Sequence, residues 1–162
     1  MGTGMTGRYP STRGSARKAS DFSVIHSNEG TFKISQAGHK KTLRLKSGGH
    51  GQKNIELLKR YNIKYNIVHT YPNGVRIGNI PNHCNKLKRE GTNQAWFPEN
   101  WTEKDIKRAG EHVVGLRKNR NVLSGKIMYG RYHGVDVCVI RTKGIIGSIF
   151  PNSDQSIRKR RK

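Results

Sequence analysis

Residues 126–151 read KIMYGRYHGVDVCVIRTKGIIGSIFP, and this stretch decides the fold. It contains three runs rich in β-branched and aromatic residues: KIMYGRY, VDVCVIRT and IIGSIFP. The pairs His133-Gly134 and Lys143-Gly144 separate these runs, and two-residue connections of this kind are typical of β-hairpins. The sequence therefore predicts a three-stranded antiparallel meander near the C-terminus.

Helical patterns precede this meander. Thr102 is a predicted N-cap, and apolar residues recur at helical spacing from Ile106 to Leu116. IELLKRYN (55–62) predicts a short amphipathic helix, residues 64–80 predict a hairpin around Pro72-Asn73-Gly74, and residues 21–35 are expected to be irregular or briefly extended. The predicted class is α+β, with short helices packed on antiparallel β-sheets and one sheet face free for a ligand.

One working domain is predicted over residues 21–155. Residues 1–20 are rich in Gly, Ser, Thr and basic residues, which indicates a flexible basic lead-in or linker, and residues 156–162 indicate a basic mobile tail. We expect a soluble protein, since no run approaches the roughly 20 apolar residues of a membrane span. Cys84 and Cys138 lack C-x-x-C spacing, which favours two ordinary thiols.

The charge of the chain points to a polyanionic partner. Lys and Arg number 32 against 10 Asp and Glu, which gives a formal net charge of +22. A charge this large repels itself in the folded state unless a polyanion is bound. Nucleic acid is therefore the expected partner, although charge alone does not separate an enzyme from a binding protein.

Two of the seven histidines indicate chemistry. His39 in QAGHKK and His50 in SGGHGQ lie eleven positions apart, each beside glycine and surrounded by basic residues. RNA cleavage by its own 2′-hydroxyl needs a base, an acid and a positive group, and imidazole suits the first two roles without a metal or other cofactor. Two alternatives stay open: a phosphate-binding loop with uninvolved histidines, and a zinc site drawing on His39, His50, His69 and His83, for which no tight ligand spacing exists.

The chain resembles the bacterial EndoU-type nuclease domains, which are C-terminal toxin modules of contact-dependent inhibition and other polymorphic toxin systems. Three landmarks carry the likeness: His39 followed by His50 in KSGGHGQ, the segment AWFPENWTEKDI (95–106), and SIFP (148–151). The aromatic residues of the second landmark also suit a hydrophobic clasp for the helix that follows.

The resemblance implies an EndoU-like nuclease fold and metal-independent cleavage of RNA, with tRNA among the expected substrates, to leave a 2′,3′-cyclic phosphate. It implies that His39 and His50 are the catalytic acid and base, in an order left open. It also implies that Ser148 binds the substrate near its nucleobase. His26 and His69 are alternatives to His39, because the family's usual sequence context is missing there.

Two departures from the family pattern affect the other site residues. Phe150 replaces the usual tyrosine, so stacking on a base is kept and a hydroxyl is lost. Gln94 lies near the position of the family's lysine, and the candidates for that role are Lys53, Lys86 and Lys88.

We therefore expect a ribonuclease toxin, secreted or delivered as part of a larger protein, that acts on RNA in the cytoplasm of a target cell. The expected partners are RNA and an acidic cognate immunity protein that covers the active-site cleft. The alternatives are a non-catalytic RNA-binding module and a metal-dependent DNase toxin, and the oligomeric state is left open.

Overall fold

The computed structural model describes residues 17–156, and the chain is α+β over this range. Most of the predicted lead-in and all but the first residue of the predicted tail lie outside the described residues. The described part contains three α-helices, eight strands and two short 3₁₀ helices, Lys86–Lys88 and Arg117–Asn119. The helices and strands are, in chain order, α1 Asp21–Asn28, β1 Thr31–Ala37, β2 Lys40–Ser47, α2 Gln52–Arg60, β3 Asn66–Thr70, β4 Arg76–Asn79, β5 Gln94–Trp96, α3 Glu103–Gly115, β6 Ile127–Tyr132, β7 Val135–Thr142 and β8 Ile145–Pro151.

Strands β6, β7 and β8 form the predicted meander, with β7 in the centre. Both connections have two residues, and His133 and Lys143 adopt positive φ angles of 48° and 53° there. This conformation matches the twist of the flanking strands. The remaining strands pair in the antiparallel sheets β1–β2 and β3–β4–β5, so the fold class and the terminal meander are confirmed.

Helix α3 covers one face of the meander. Thr102 caps the helix in a reciprocal capping box with Asp105, as the sequence predicts. Gly110 allows α3 to lie directly against Ile149 of β8, because a Cβ atom there would sit 2.4 Å from the Ile149 side chain. Successive strand residues point to opposite faces, so this packing leaves the other face of β8, with Ser148 and Phe150, available to a ligand.

The expectation of irregular or briefly extended structure over residues 21–35 was wrong for residues 21–28, which form helix α1, whereas residues 31–35 are extended in β1. The Ser20 side chain accepts a hydrogen bond from the N–H of Ser23 and so caps this helix. Its buried face carries small and polar residues, among them Ser23, Ser27 and Asn28, so the usual apolar stripe of a helix is absent from the sequence. The hydroxyl of Ser27 accepts a hydrogen bond from the Ile149 N–H and docks α1 on the meander.

A cluster of buried residues, separate from the packing of α3 on the meander, joins α2 to the sheet β3–β4–β5. The predicted helix and hairpin are confirmed over Gln52–Arg60 and over β3–β4, and β5 adds a third strand. Trp96 is fully buried here, and its indole N–H donates to Asn54 Oδ1 at 3.0 Å. The members of the cluster are Leu45, Ile55, Leu58, Ile63, Ile80 and Trp96. Trp96 therefore belongs to the core, as does the fully buried Phe97 beside it.

Candidate active site

A cavity of about 620 Å³ opens where α1, the base of the β1–β2 hairpin, the first 3₁₀ helix and the free face of the meander meet. The residues that line it include His26, His50, His83, Lys46, Lys88, Ser148 and Phe150. None of the described residues that line it is an Asp or a Glu. The cavity therefore brings three imidazoles and two lysine ammonium groups together without a carboxylate.

A glycine-rich loop brings His26 and His50 together. This loop, Gly48 to Gly51, runs along the last turn of α1, and the N–H of Gly49 donates to the carbonyl of His26 at 3.0 Å. Gly48 has a φ of +69°, and a Cβ atom there would lie 2.3 Å from the His26 carbonyl oxygen and 2.9 Å from the His26 ring. The glycine is required because the backbone of the loop lies directly against the first histidine.

His50 is buried and its tautomer is fixed. Its Nδ1 lies 2.9 Å from the carbonyl oxygen of Ala95, which can only accept a hydrogen bond, so Nδ1 carries the proton and Nε2 keeps its lone pair. Burial lowers the pKa of His50 well below its ordinary value of 6.5, and the charge of Lys88 lowers this pKa further. The ring is therefore neutral near pH 7, with Nε2 available to take a proton.

His26 lies in the last turn of α1 and is half-buried. Its Nδ1 lies 3.0 Å from the hydroxyl oxygen of Thr31, which leaves Nε2 for a substrate. Burial lowers the pKa of His26, though less strongly than that of His50. The imidazoles of His26 and His50 therefore differ in environment, which is the condition for one to act as acid and the other as base.

Lys88 and His83 line the cavity from the segment that follows β4. Burial lowers the pKa of Lys88. Burial also lowers the pKa of His83 to about 4, and the charges of Lys88, Arg89 and Arg44 act in the same direction. Lys88 lines the same cavity as the imidazoles, and its charge lowers the pKa of His50 and of His83.

Ser148 and Phe150 face the cavity from β8, where alternate residues share a face. The Phe150 ring lies beside His50, with ring centroids 5.5 Å apart and planes tilted by 39°. A hydroxyl and an aromatic face next to the imidazoles are suited to holding an unstacked base. Of the residues singled out in the sequence, His50, Lys88, Ser148 and Phe150 are brought together.

The structure does not bring His39, Lys53 or Lys86 to this cavity. His39 is exposed in the turn between β1 and β2, and six strand steps of about 3.3 Å place that turn about 20 Å from the base of the hairpin. Lys53 is exposed on α2 and Lys86 is exposed in the 3₁₀ helix. His26, one of the two alternatives to His39, lines the same cavity as His50. His69 lies on β3, and its ring contacts that of Tyr71, the residue after the strand.

Sequence reasoning gave His83 no role beyond that of a possible zinc ligand. Gly38, the glycine beside His39, lies in the turn between β1 and β2. Within residues 17–156 no group of three or more His, Cys, Asp or Glu residues is arranged to hold a metal ion, and both cysteines are free. No helix of this range is long and apolar enough to cross a membrane.

Comparison with known protein families identifies the family of the chain. The model of the family described as bacterial EndoU nuclease matches residues 26–153, about four fifths of the chain. The chain belongs to the bacterial EndoU nuclease family. The match in this EndoU nuclease begins at His26 and ends at Ser153, and both residues line the cavity. Comparisons with curated proteins and with solved structures gave no match.

Proposed function

We propose that this EndoU nuclease is a metal-independent endoribonuclease toxin that cleaves RNA through its 2′-hydroxyl, with His50 as general base and His26 as general acid. The observation that carries the proposal is the fixed tautomer of His50, whose unprotonated Nε2 belongs to a cavity shared with His26. A neutral imidazole keeps its lone pair at near-neutral pH and is therefore in the form that a general base requires.

The proposed reaction is a transphosphorylation. Nε2 of His50 takes the proton of the 2′-hydroxyl while the 2′-oxygen forms a bond to phosphorus. The bond between phosphorus and the 5′-oxygen breaks, and protonated His26 gives its proton to that oxygen. The products are a 2′,3′-cyclic phosphate end and a 5′-hydroxyl end. A bound phosphate would raise the pKa of His26 and so favour its acid form.

Lys88 is suited to stabilising the charge that grows on the phosphoryl oxygens. It is a partly buried cation that lines the same cavity as the two imidazoles, and electrostatic attraction is stronger where water is excluded. Phe150 would hold the nucleobase next to the scissile bond by stacking, and Ser148 would hold it by hydrogen bonding.

Two further features support RNA as the substrate. The net charge of +22 favours a polyanion. A second cavity, of about 550 Å³, is lined by Arg17, Arg117, Arg120 and Arg141 and has no histidine or carboxylate among its described lining residues. It suits phosphate groups outside the cleavage site. Among possible RNAs we propose tRNA.

The toxin role follows from the likeness to polymorphic toxin modules. We propose delivery as part of a larger protein into the cytoplasm of a competing bacterium, and neutralisation by an acidic immunity protein that covers the cavity. Opposite charge accelerates such an association. Expression of the chain in a bacterial cytoplasm should arrest growth, and co-expression of the immunity protein should restore it.

The deciding experiment incubates the purified chain with total RNA, with and without EDTA, and maps the cleaved ends. Cyclic phosphate ends formed equally in EDTA would support the proposal. His50→Ala should abolish cleavage while RNA binding is retained. Intact RNA would favour a binding module, and cleaved plasmid DNA with loss of activity in EDTA would favour a metal-dependent DNase.

A further inference from the structure

His83 is held rigidly at the wall of the cavity. Its side chain is 1% exposed. Its N–H donates to the carbonyl of Ile80 at 2.9 Å, and its own carbonyl accepts from Arg44 Nη2 at 3.2 Å and from Arg89 Nε at 2.7 Å. Two guanidinium groups thus fix the backbone of a buried histidine, and both add positive charge around it.

The tautomer of His83 is opposite to that of His50. The backbone N–H of Asn85 lies 2.8 Å from His83 Nδ1, and since an N–H can only donate, Nδ1 must accept. The proton of the neutral ring therefore lies on Nε2. One cavity thus holds an imidazole with an unprotonated Nε2, at His50, and an imidazole with an Nε2–H, at His83.

The Nε2–H of His83 has no hydrogen-bond partner among the described residues. Buried donors without partners are rare, because each costs about 1–3 kcal/mol of lost hydration. A rigid, unpartnered donor beside an ammonium group is arranged to receive an acceptor from a ligand, and the neighbouring positive charges favour an anionic one.

We propose that His83 is a further catalytic residue, which donates a hydrogen bond from Nε2–H to a non-bridging oxygen of the scissile phosphate, alongside Lys88. This inference rests on the proposed ribonuclease function. Because the ring stays neutral, it can donate without competing with His26 for the role of acid. The bond would strengthen as negative charge grows on that oxygen, and so would lower the barrier.

The test compares His83→Asn with His83→Gln. Asparagine offers an oxygen near the position of Nδ1 and keeps the bond to the Asn85 N–H, but it has no donor at the position of Nε2. Glutamine places an amide N–H near that position. We expect His83→Asn to lower kcat/KM about 100-fold with little change in melting temperature, and His83→Gln to recover much of the loss.

A sulfur substitution separates a catalytic role from a structural one. In the phosphorothioate diastereomer whose sulfur faces His83, the wild-type enzyme should slow markedly, and His83→Asn should slow little further. Equal sulfur effects in the two enzymes, or a wild-type rate for His83→Asn, would overturn the inference while leaving the ribonuclease function intact. If the wild-type enzyme leaves RNA whole, the proposed function itself fails.

A measurement on the unmutated protein covers the case in which the variants do not fold. An uncleavable 2′-fluoro dinucleotide is added to the ¹⁵N-labelled chain, and the His83 Nε2–H resonance is followed by NMR. A downfield shift on binding is expected, because a hydrogen bond to a phosphoryl oxygen deshields the proton. An unchanged resonance with the dinucleotide bound would contradict the proposal.

Discussion

The Nδ1 atom of His50 lies 2.9 Å from the carbonyl oxygen of Ala95, 45 positions further along the chain. This contact makes the imidazole a base at Nε2, because the carbonyl retains the proton on Nδ1. Ala95 lies in strand β5, and the N–H of Phe97, the residue after this strand, donates to the His50 carbonyl at 2.7 Å. The strand therefore fixes both the backbone and the ring of the proposed base.

The pH dependence of cleavage follows from the two proposed groups. The value of kcat/KM should rise as His50 loses its proton and fall as His26 loses its proton. Burial lowers the pKa of both, and lowers that of His50 more, so the bell-shaped profile should have its maximum below pH 6.5. Initial rates on a dinucleotide between about pH 4 and pH 8 measure this, and a maximum above about pH 7 would contradict the assignment.

Replacement of the two candidate first histidines should separate them. His26→Ala should lower kcat/KM by about 100-fold or more, because the leaving oxygen loses its proton donor. His39→Ala should change the rate less than about twofold, since His39 is exposed in the β1–β2 turn. Single-turnover cleavage assays of both variants provide the measurement. The opposite pattern would restore His39 to the active site.

Gly48→Ala should reduce activity by displacing the His26 ring. The added methyl group would meet the His26 carbonyl and ring, in addition to the strain of a positive φ. Gly38→Ala is a matched control, because Gly38 also has a positive φ, of +62°, but has no atom within 4 Å of the added group. Gly38→Ala should lose about 1 kcal/mol of stability from the strained φ alone, Gly48→Ala should lose more because of the clash, and only Gly48→Ala should also lose cleavage. Equal activities would show that the loop does not position His26.

Of the three lysines predicted from the sequence, Lys88 alone lines the cavity, and it is the one expected to matter for the chemical step. Lys88→Ala should lower kcat by about 100-fold, because the charge beside the imidazoles is removed. Lys53→Ala and Lys86→Ala remove exposed charges outside the cavity and should mainly weaken RNA binding in a salt-dependent way. Saturation kinetics at two salt concentrations distinguish the effects. A large fall of kcat in either exposed variant would place that lysine at the scissile bond.

Phe150 should act through its aromatic face. Phe150→Ala should weaken substrate binding by about 1–3 kcal/mol, the usual value of a stacked base, and Phe150→Tyr should be close to wild type. The Phe150 ring contacts His50, so its loss could also change the pKa of the proposed general base. The acid limb of the pH profile is the control, because it reports the pKa of His50. If Phe150→Ala and the wild type have the same KM, stacking on this ring is excluded.

Local patterns in the sequence predicted the meander, α2, α3 and the β3–β4 hairpin, because in each of them the side-chain period or the turn residues are visible within a short window. Helix α1 escaped prediction because Ser27 and Asn28 are buried where an apolar stripe would be expected. Its burial depends on the meander, through the hydrogen bond between Ser27 and Ile149, which are 122 positions apart.

The sequence by itself determined the fold class, the strong positive charge, the glycine-rich loop around His50 and the hydroxyl and aromatic pair of β8. Only the tertiary structure decided that His26, and not His39, lies beside that loop, and which nitrogen carries the proton on His50 and on His83. The reason is physical. Hydrophobic periodicity is a local property, whereas a tautomer and a shared cavity depend on backbone groups that the folded chain brings together from distant positions.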